Sequence, residues 1–208
     1  KFAKLVSKKI NANHFFVEPN LSNFENEVKQ LVYSQDSPIW STSTYAQFKV
    51  MELAKLNNTK VVLDGQGADE LFAGYHHHFV AQWLQLLSEG KLAELSKTLR
   101  KSNVSISSPY IFFLKDWLKS KITIETSIYK KYFTKEFLQF GKVDTQIQFS
   151  NVNEQLIHDI EVKRLKIFLK CEDRCGMWHG VESRTPFSDD VNLIELLFSF
   201  DGKRKIKN

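Results

Sequence analysis

The sequence predicts a helix-rich α/β protein, in which part of a parallel sheet is flanked by helices and the second half of the chain is mostly helical. Two short apolar runs alternate with longer stretches whose apolar residues recur at helical spacing. One of these runs passes directly into a glycine-rich turn and then into another helical stretch. Beyond about residue 90 the apolar residues follow helical spacing.

The first sixty residues predict a strand, two helices and a second strand. Residues 1–11 carry a helical stripe, and residues 14–18 (HFFVE) predict a short buried strand that Pro19 ends. Helical spacing covers residues 21–35 and then 41–56, after a break at QDSP, with Ser41 or Ser43 as the N-cap. With a further strand at residues 61–63, this order indicates a parallel crossover.

A glycine loop, DGQG, joins the strand at residues 61–63 to the next helix. Gly65 and Gly67 can adopt positive φ and let the backbone approach a ligand. A loop between the carboxyl end of a parallel strand and a helix N-terminus is where open α/β sheets bind ligands, phosphates especially. The helix that follows is predicted to be continuous, because apolar residues recur at every fourth position: Leu71, Tyr75, Phe79, Trp83 and Leu87.

Three carboxylates in and after this loop have two interpretations. Asp69 and Glu70 lie in the first helical turn, where the helix dipole favours negative charge. Alternatively, Asp64, Asp69 and Glu70 help to hold a magnesium ion that bridges nucleotide phosphates, because magnesium prefers hard oxygen ligands. The fingerprints GxGxxG and GxxxxGK[ST] are both absent.

The second half of the chain is predicted to contain amphipathic helices. The expected helical pieces lie at residues 92–99, 111–118, 155–172 and 193–200, with a loop at 105–109 and an ambiguous aromatic stretch at 122–144. Pro186 is expected to interrupt helicity. Charged residues concentrate between residues 172 and 190, and one interpretation is a network of buried ion pairs that fixes helix ends.

Two groups of metal-type side chains are not predicted to bind an ion. Residues 76–78 (HHH) point about 100° apart on a helix, so they cannot bind one ion together, and we expect them to be partly exposed. Cys171, Cys175 and His179 extend over about 12 Å of one helix, too far for one zinc ion. The cysteines are interpreted as reduced cytosolic thiols.

The composition indicates a globular protein with a full core: 42% of residues are hydrophobic and 25% are charged. No apolar run could span a membrane, no signal peptide is apparent, and a cytoplasmic location is expected. The net charge is +5, but the lysines are dispersed, so no nucleic-acid partner is predicted. Because the chain begins with Lys1 and its first methionine is Met51, we expect an excerpt of a longer protein.

Residues 61–75 (VVLDGQGADELFAGY) resemble the VVLSGEGSDELFGGY-type motif in the C-terminal synthetase domain of the glutamine-hydrolysing asparagine synthetases. Residues 173–189 resemble that family's DRxSMAHGVEARVPFLD motif. The resemblance covers residues 1–208 and is weaker from about 90 to 151. It implies part of an adenine-nucleotide-α-hydrolase-like sheet, with a nucleotide-binding part at about residues 1–89 and a helical part at about 90–208.

The resemblance implies synthesis of asparagine from aspartate. ATP would adenylate the β-carboxylate, and ammonia from an N-terminal glutaminase domain would displace AMP. By matching position, Asp64, Gly65 and Gly67 would bind ATP, with Asp64 and Gly65 beside the ribose and α-phosphate. Asp69 would lie at the magnesium–pyrophosphate end, and Glu70 would support the loop.

The second motif implies further positions. Glu182 and Arg184 would order the wall of the aspartate pocket, although both could equally be structural. The family's pyrophosphate loop, its glutaminase domain and a pyrophosphate-binding lysine have no counterpart in the chain, so the chain alone is expected to have no synthetase turnover. The exposed sheet edge would favour association into a homodimer.

One departure from the family pattern bears on the reaction. Gln66 stands where GEG-type members have a glutamate that is thought to handle the ammonia proton, and an amide cannot act as a base near neutral pH. Three hypotheses follow: asparagine synthesis with another proton acceptor, an amidotransferase that acts on a sugar or peptide carboxylate, or a non-catalytic scaffold. Asp64, Trp178 and Ser188 also depart from the family's usual residues.

Overall fold

The computed structural model describes residues 2–101, 134, 136 and 151–206. None of the helices in these ranges combines the length and apolar character that a membrane span requires. The described strands are β1 (Val61–Leu63) and β2 (Glu182–Arg184). The described helices, in chain order, are α1 (Phe2–Lys9), α2 (Leu21–Gln35), α3 (Thr42–Leu56), α4 (Ala68–Phe72), α5 (His76–Ser88), α6 (Leu92–Lys101), α7 (Val152–His158), a π-helical turn (Asp159–Lys163), α8 (Leu165–His179), α9 (Pro186–Asp189), α10 (Val191–Phe198) and a 3-10 turn (Gly202–Lys205).

The first of two compact units comprises residues 1–67 and 162–190. Helix α8 packs against α2 and α3 in this unit. Apolar side chains from these helices, together with Val181, bury one core. Its buried members are Leu31, Tyr45, Phe48, Met51, Cys175 and Val181.

The two strands pair in parallel in the first unit, with Val61 opposite Glu182 and Leu63 opposite Arg184. The amide of Glu182 donates to the carbonyl of Lys60 over 2.8 Å, and the amide of Asp64 donates to the carbonyl of Arg184 over 2.9 Å. Since parallel strands end at the same edge of a sheet, this pairing brings the glycine loop and the second motif together.

Two predictions about the sheet are wrong. Residues 14–18 form no strand, and Phe15 and Phe16 are exposed instead of buried. The parallel partner of β1 is β2, so the crossover predicted between residues 14–18 and 61–63 does not exist. A short apolar run is insufficient to specify a strand, because a strand also needs a neighbour to satisfy its backbone groups.

The second unit comprises residues 68–161 and 191–208. Within it, α7 packs against α5, and buried residues of separate segments form a small core. The single helix predicted to run from residue 68 to residue 87 is wrong, because the chain forms α4 and α5. Ala73 has φ 64°, which an α-helix does not allow, and a Cβ on Gly74 would overlap the Asp69 carboxylate. The buried core residues are Ala73, Val152, Leu156 and Ile206.

Other helix predictions have mixed outcomes. Helices at residues 21–35 and 41–56 are confirmed, with Asn20 and Ser41 as the N-caps. The continuous helix predicted at 155–172 is wrong, because a π-helical turn separates α7 from α8. Pro186 begins α9 instead of ending a helix, consistent with the tolerance for proline in the first turn. The predictions at 105–109, 111–118 and 122–144 lie outside the described residues.

Candidate active site

The glycine loop begins at Asp64, immediately after β1. Asp64 Oδ1 accepts a 3.0 Å hydrogen bond from the backbone amide of Gln66, which folds the loop back on itself as an Asx-type turn. Gly67 has φ +94°, and a Cβ there would lie 3.1 Å from that of Ser188, so glycine is required. By contrast, a Cβ on Gly65 would meet no atom within 4 Å. The predicted loop is therefore confirmed, and the space beside Gly65 is open.

A buried carboxylate, Glu172, lies against this loop. It projects from α8 and is only 2% exposed. The Ser183 hydroxyl donates to its Oε1 over 2.5 Å, and the Gln47 amide donates to its Oε2 over 2.6 Å. The same Gln47 nitrogen lies 3.5 Å from Asp64 Oδ2. The Gln47 side-chain amide therefore lies between two carboxylates, and the Gln47 and Ser183 donors to Glu172 are neutral.

The surroundings of Glu172 change its acidity. Burial raises the pKa of Glu172, and the charge and hydrogen bonding of Asp64 raise it further, while hydrogen bonds from Ser183 and Gln66 lower it. The resulting pKa is about 7. Near neutral pH this carboxyl group can both accept and release a proton, which an ordinary surface glutamate cannot do.

The charged pair of the second motif lies at the surface. Arg184 Nε donates to Glu182 Oε1 over 2.7 Å, and both side chains are more than half exposed. The interpretation of this pair as part of a buried ion-pair network is therefore wrong. The neighbouring turn is instead held by hydroxyl groups, because Ser188 donates to the Thr185 hydroxyl over 2.7 Å.

Asp69 and Glu70 belong to α4 in the second unit. Asp69 is exposed, whereas Glu70 is 1% exposed and accepts a 2.9 Å hydrogen bond from the Tyr75 hydroxyl at Oε1. Burial raises the pKa of Glu70, and this hydrogen bond lowers it. The carboxyl group of Glu70 therefore ties α4 to the start of α5, whereas the support that Glu70 is expected to give the glycine loop stays a prediction.

The histidine run also lies in the second unit, where it differs from the prediction. His78 is fully buried, and its Nε2 lies 2.9 Å from Asp159 Oδ2, while His77 Nε2 lies 2.5 Å from the same oxygen. The expectation that all three histidines are partly exposed is therefore wrong for His78. Burial acts to raise the pKa of Asp159, but the two histidines hold it well below its usual range.

Two histidines and a carboxylate at such distances are also a potential metal site. The backbone amide of Tyr75, however, donates to His78 Nδ1 over 3.3 Å. An imidazole that accepts at Nδ1 carries its proton on Nε2, so this nitrogen donates to Asp159 and has no lone pair for an ion. We therefore assign hydrogen bonding to these atoms.

Both cysteines are free thiols. Cys175 is buried, and burial raises its pKa to about 12, which keeps it protonated and unreactive. His179 is buried against the Phe48 ring, with 4.4 Å between ring centroids.

Part of this site is predictable from the sequence. Asp64 is predicted from its position after a strand and Gln66 from the resemblance to the family motif, and the structure places both beside Glu172. Gln47 and Ser183 were not predicted. Their approach depends on the packing of α8 against α3 and on a strand that sequence analysis missed, and no local pattern identifies them.

The asparagine synthase family model matches residues 1–208. The chain therefore belongs to the asparagine synthase family, and membership indicates an enzyme of the synthetase, or ligase, class. Comparisons with curated proteins and with solved structures found no match.

Proposed function

We propose that the protein containing this chain is an ATP-dependent amide ligase that makes asparagine from aspartate through a β-aspartyl-AMP intermediate, with glutamine or ammonia as the nitrogen donor. The observation that carries the proposal is the parallel pairing of β1 with β2. This pairing joins the two family motifs at one edge and places Asp64, Gln66 and Glu172 together. The carboxyl ends of parallel strands are where open α/β sheets bind ligands such as a nucleotide and an acyl group.

The loop suits the nucleotide part of this reaction. Asp64 and Gly65 are proposed to lie beside the ribose and the α-phosphate of ATP, with Gly67 holding the turn. The open space at Gly65 supports this role, because phosphate oxygens can approach backbone there.

Asp69 is the proposed magnesium ligand. Its exposed carboxylate is a hard oxygen donor, which fits this ion. Magnesium would offset the negative charge of the phosphates. Asp64 is assigned to the ribose and the α-phosphate instead of to the ion. Glu182 and Arg184 are proposed to order the wall of the acyl pocket.

A second candidate is an amidotransferase that acts on a sugar or peptide carboxylate. Gln66 favours this alternative, because the position at which the resemblance places an acid is occupied by an amide. The two candidates share adenylation and amidation and differ in the carboxylate that is activated. A non-catalytic scaffold would instead show neither reaction.

The test measures pyrophosphate release from ATP by the full-length protein, with glutamine or ammonium as the nitrogen source. Aspartate is compared with glutamate, a uronic acid and a short peptide. We expect aspartate-dependent release, with asparagine as the product. Release with another carboxylate alone would favour the amidotransferase, and no ATP turnover with any carboxylate would contradict both enzymatic proposals.

Two further measurements accompany this test. Asp69→Ala is expected to raise the magnesium concentration needed for half-maximal pyrophosphate release by at least about tenfold, because a carboxylate ligand is removed. Residues 1–208 alone are expected to release no pyrophosphate, and measurable release would contradict that expectation.

A further inference from the structure

We propose that Asp64 and Glu172 form a carboxyl pair that takes the proton from the nitrogen nucleophile during amide formation. This inference rests on the proposed function, and it supplies a proton acceptor that Gln66 cannot be. Gln47 Nε2 holds the pair together, at 2.6 Å from Glu172 Oε2 and 3.5 Å from Asp64 Oδ2.

The two carboxyl groups differ in access. Asp64 is half-buried at the start of the glycine loop, whereas Glu172 is 2% exposed. A substrate can therefore touch Asp64, which is the catalytic residue of the pair. Glu172 is a positioning residue that acts through Asp64, because its carboxyl group sets how strongly the pair binds a proton.

Among the residues that the structure describes, the side chains that donate hydrogen bonds to Glu172 carry no positive charge. Helix α3 contributes the side-chain amide of Gln47, β2 contributes the hydroxyl of Ser183, and the loop contributes the side-chain amide of Gln66. All three groups are neutral. On α8 itself, the thiol of Cys175 stays protonated, with a pKa of about 12. Two adjacent carboxylates in such surroundings favour retaining one proton between them, and the pKa of Glu172, about 7, agrees with this.

The proposed step balances without any further reactant. The nitrogen of ammonia bonds to the carbonyl carbon of the acyl adenylate. The bond from that carbon to the phosphate oxygen breaks, and its electron pair leaves with AMP. The nitrogen releases one proton to the ionised carboxylate of the pair, so the product is a neutral amide. The pair then returns this proton to water.

The test compares two rates in the full-length protein between about pH 5.5 and 9, a range that brackets the expected titration near neutrality. One is the rate of the first-turnover burst of pyrophosphate, which reports adenylation, and the other is the rate of amide formation. In the unaltered protein we expect amide formation to rise with pH, with a midpoint near 7. In Glu172→Gln the rise of amide formation with pH should no longer have its midpoint near 7, and the rate should fall at least about tenfold, because the pair has lost the carboxyl group that titrates there. The first-turnover burst of pyrophosphate, which forms before the acyl adenylate has to be consumed, should fall much less than amide formation.

Two other variants keep the outcome clear if Glu172→Gln folds poorly. Ser183→Ala removes a hydrogen bond that lowers the pKa of Glu172, so the midpoint should move to higher pH. Glu172→Asp should restore a rise near neutral pH. Glu195→Gln, an exposed carboxylate changed to an amide, is the matched control and should change neither rate.

The results separate the two proposals. If the unaltered protein releases pyrophosphate but the pH profile of amide formation is the same in Glu172→Gln and Ser183→Ala, the carboxyl-pair inference is wrong and the ligase proposal stands. If the unaltered protein releases no pyrophosphate with any carboxylate, the ligase proposal fails and the inference fails with it.

Discussion

The carbonyl oxygen of Val181 lies 2.6 Å from the point that a Cβ on Gly176 would occupy. Gly176 is within α8, and its own carbonyl accepts a 2.9 Å hydrogen bond from the Val181 amide. The helix end and the residue before β2 are therefore in backbone contact, which no side chain on Gly176 would permit.

Gly176→Ala is expected to destabilise the protein by about 1–3 kcal/mol, because a backbone carbonyl cannot move aside as a flexible side chain can. Replacing glycine by alanine in a helix ordinarily raises the free energy of unfolding by about 1 kcal/mol, so a decrease would be diagnostic of the contact. Urea denaturation measures this free energy. Gly65→Ala is the control and should change stability little, since a Cβ there meets no atom within 4 Å. Equal or greater stability of Gly176→Ala would contradict the contact.

Glu172→Gln is expected to gain stability relative to the unaltered protein as pH rises. The folded pKa of Glu172, about 7, lies above its ordinary value, so protonation favours folding. This contribution is present below about pH 4.5 and is lost as pH approaches 7, whereas glutamine stays neutral throughout. Urea denaturation at pH 5 and pH 8 should show a relative gain of up to about 3 kcal/mol at the higher pH. A pH-independent difference would argue against a raised pKa, and Glu195→Gln should show no such trend.

Asp159→Asn is expected to cost about 2–4 kcal/mol at pH 7, because a buried carboxylate between two histidines is lost. The folded pKa of Asp159 is lowered, so its contribution is present above the ordinary aspartate pKa of about 3.9 and declines as pH falls below it. The cost should therefore shrink on acidification, as measured by denaturation at pH 7 and near pH 3.5. Asp173→Asn, at an exposed position, should change stability by less than about 0.5 kcal/mol.

Tyr75→Phe is expected to cost about 1–2 kcal/mol, since it removes the hydroxyl that donates to the buried Glu70 carboxyl group. Without this donor the pKa of Glu70 should rise further, and the neutral form should predominate over a wider pH range. Thermal denaturation of the variant measures the cost. Tyr33→Phe is a suitable comparison, because Tyr33 is 74% exposed and its change should be near zero.

The parts of the fold that sequence analysis predicted are specified locally. Helices α2 and α3 have apolar spacing and N-cap residues, Asn20 and Ser41, so their bounds follow from neighbouring residues. The break at Ala73 has no such pattern, because the apolar periodicity continues across it while the backbone adopts positive φ. Tertiary packing decides that conformation.

Strand β2 could not be predicted from the sequence, for a different reason. Its three residues, ESR, are polar and carry no strand pattern, and they become a strand only because β1 lies beside them. The candidate site is predictable only in part for the same reason. The glycine loop is predicted from Asp64 and Gly67, but the hydrogen bond from Gln47 to Glu172 forms only when two helices pack together.

The pairing of β1 with β2 also has a kinetic consequence. Residue 61 pairs with residue 182, so roughly 120 residues of chain must close before the ladder forms, at an entropic cost on the order of 4 kcal/mol. A ladder of three residue pairs offers little to offset that cost, whereas α8 and α3 can dock over a much larger surface. We expect helix docking to precede strand pairing in folding. The loop and Glu172 would then come together in the last stage of folding, after nearly all of this chain has been synthesised.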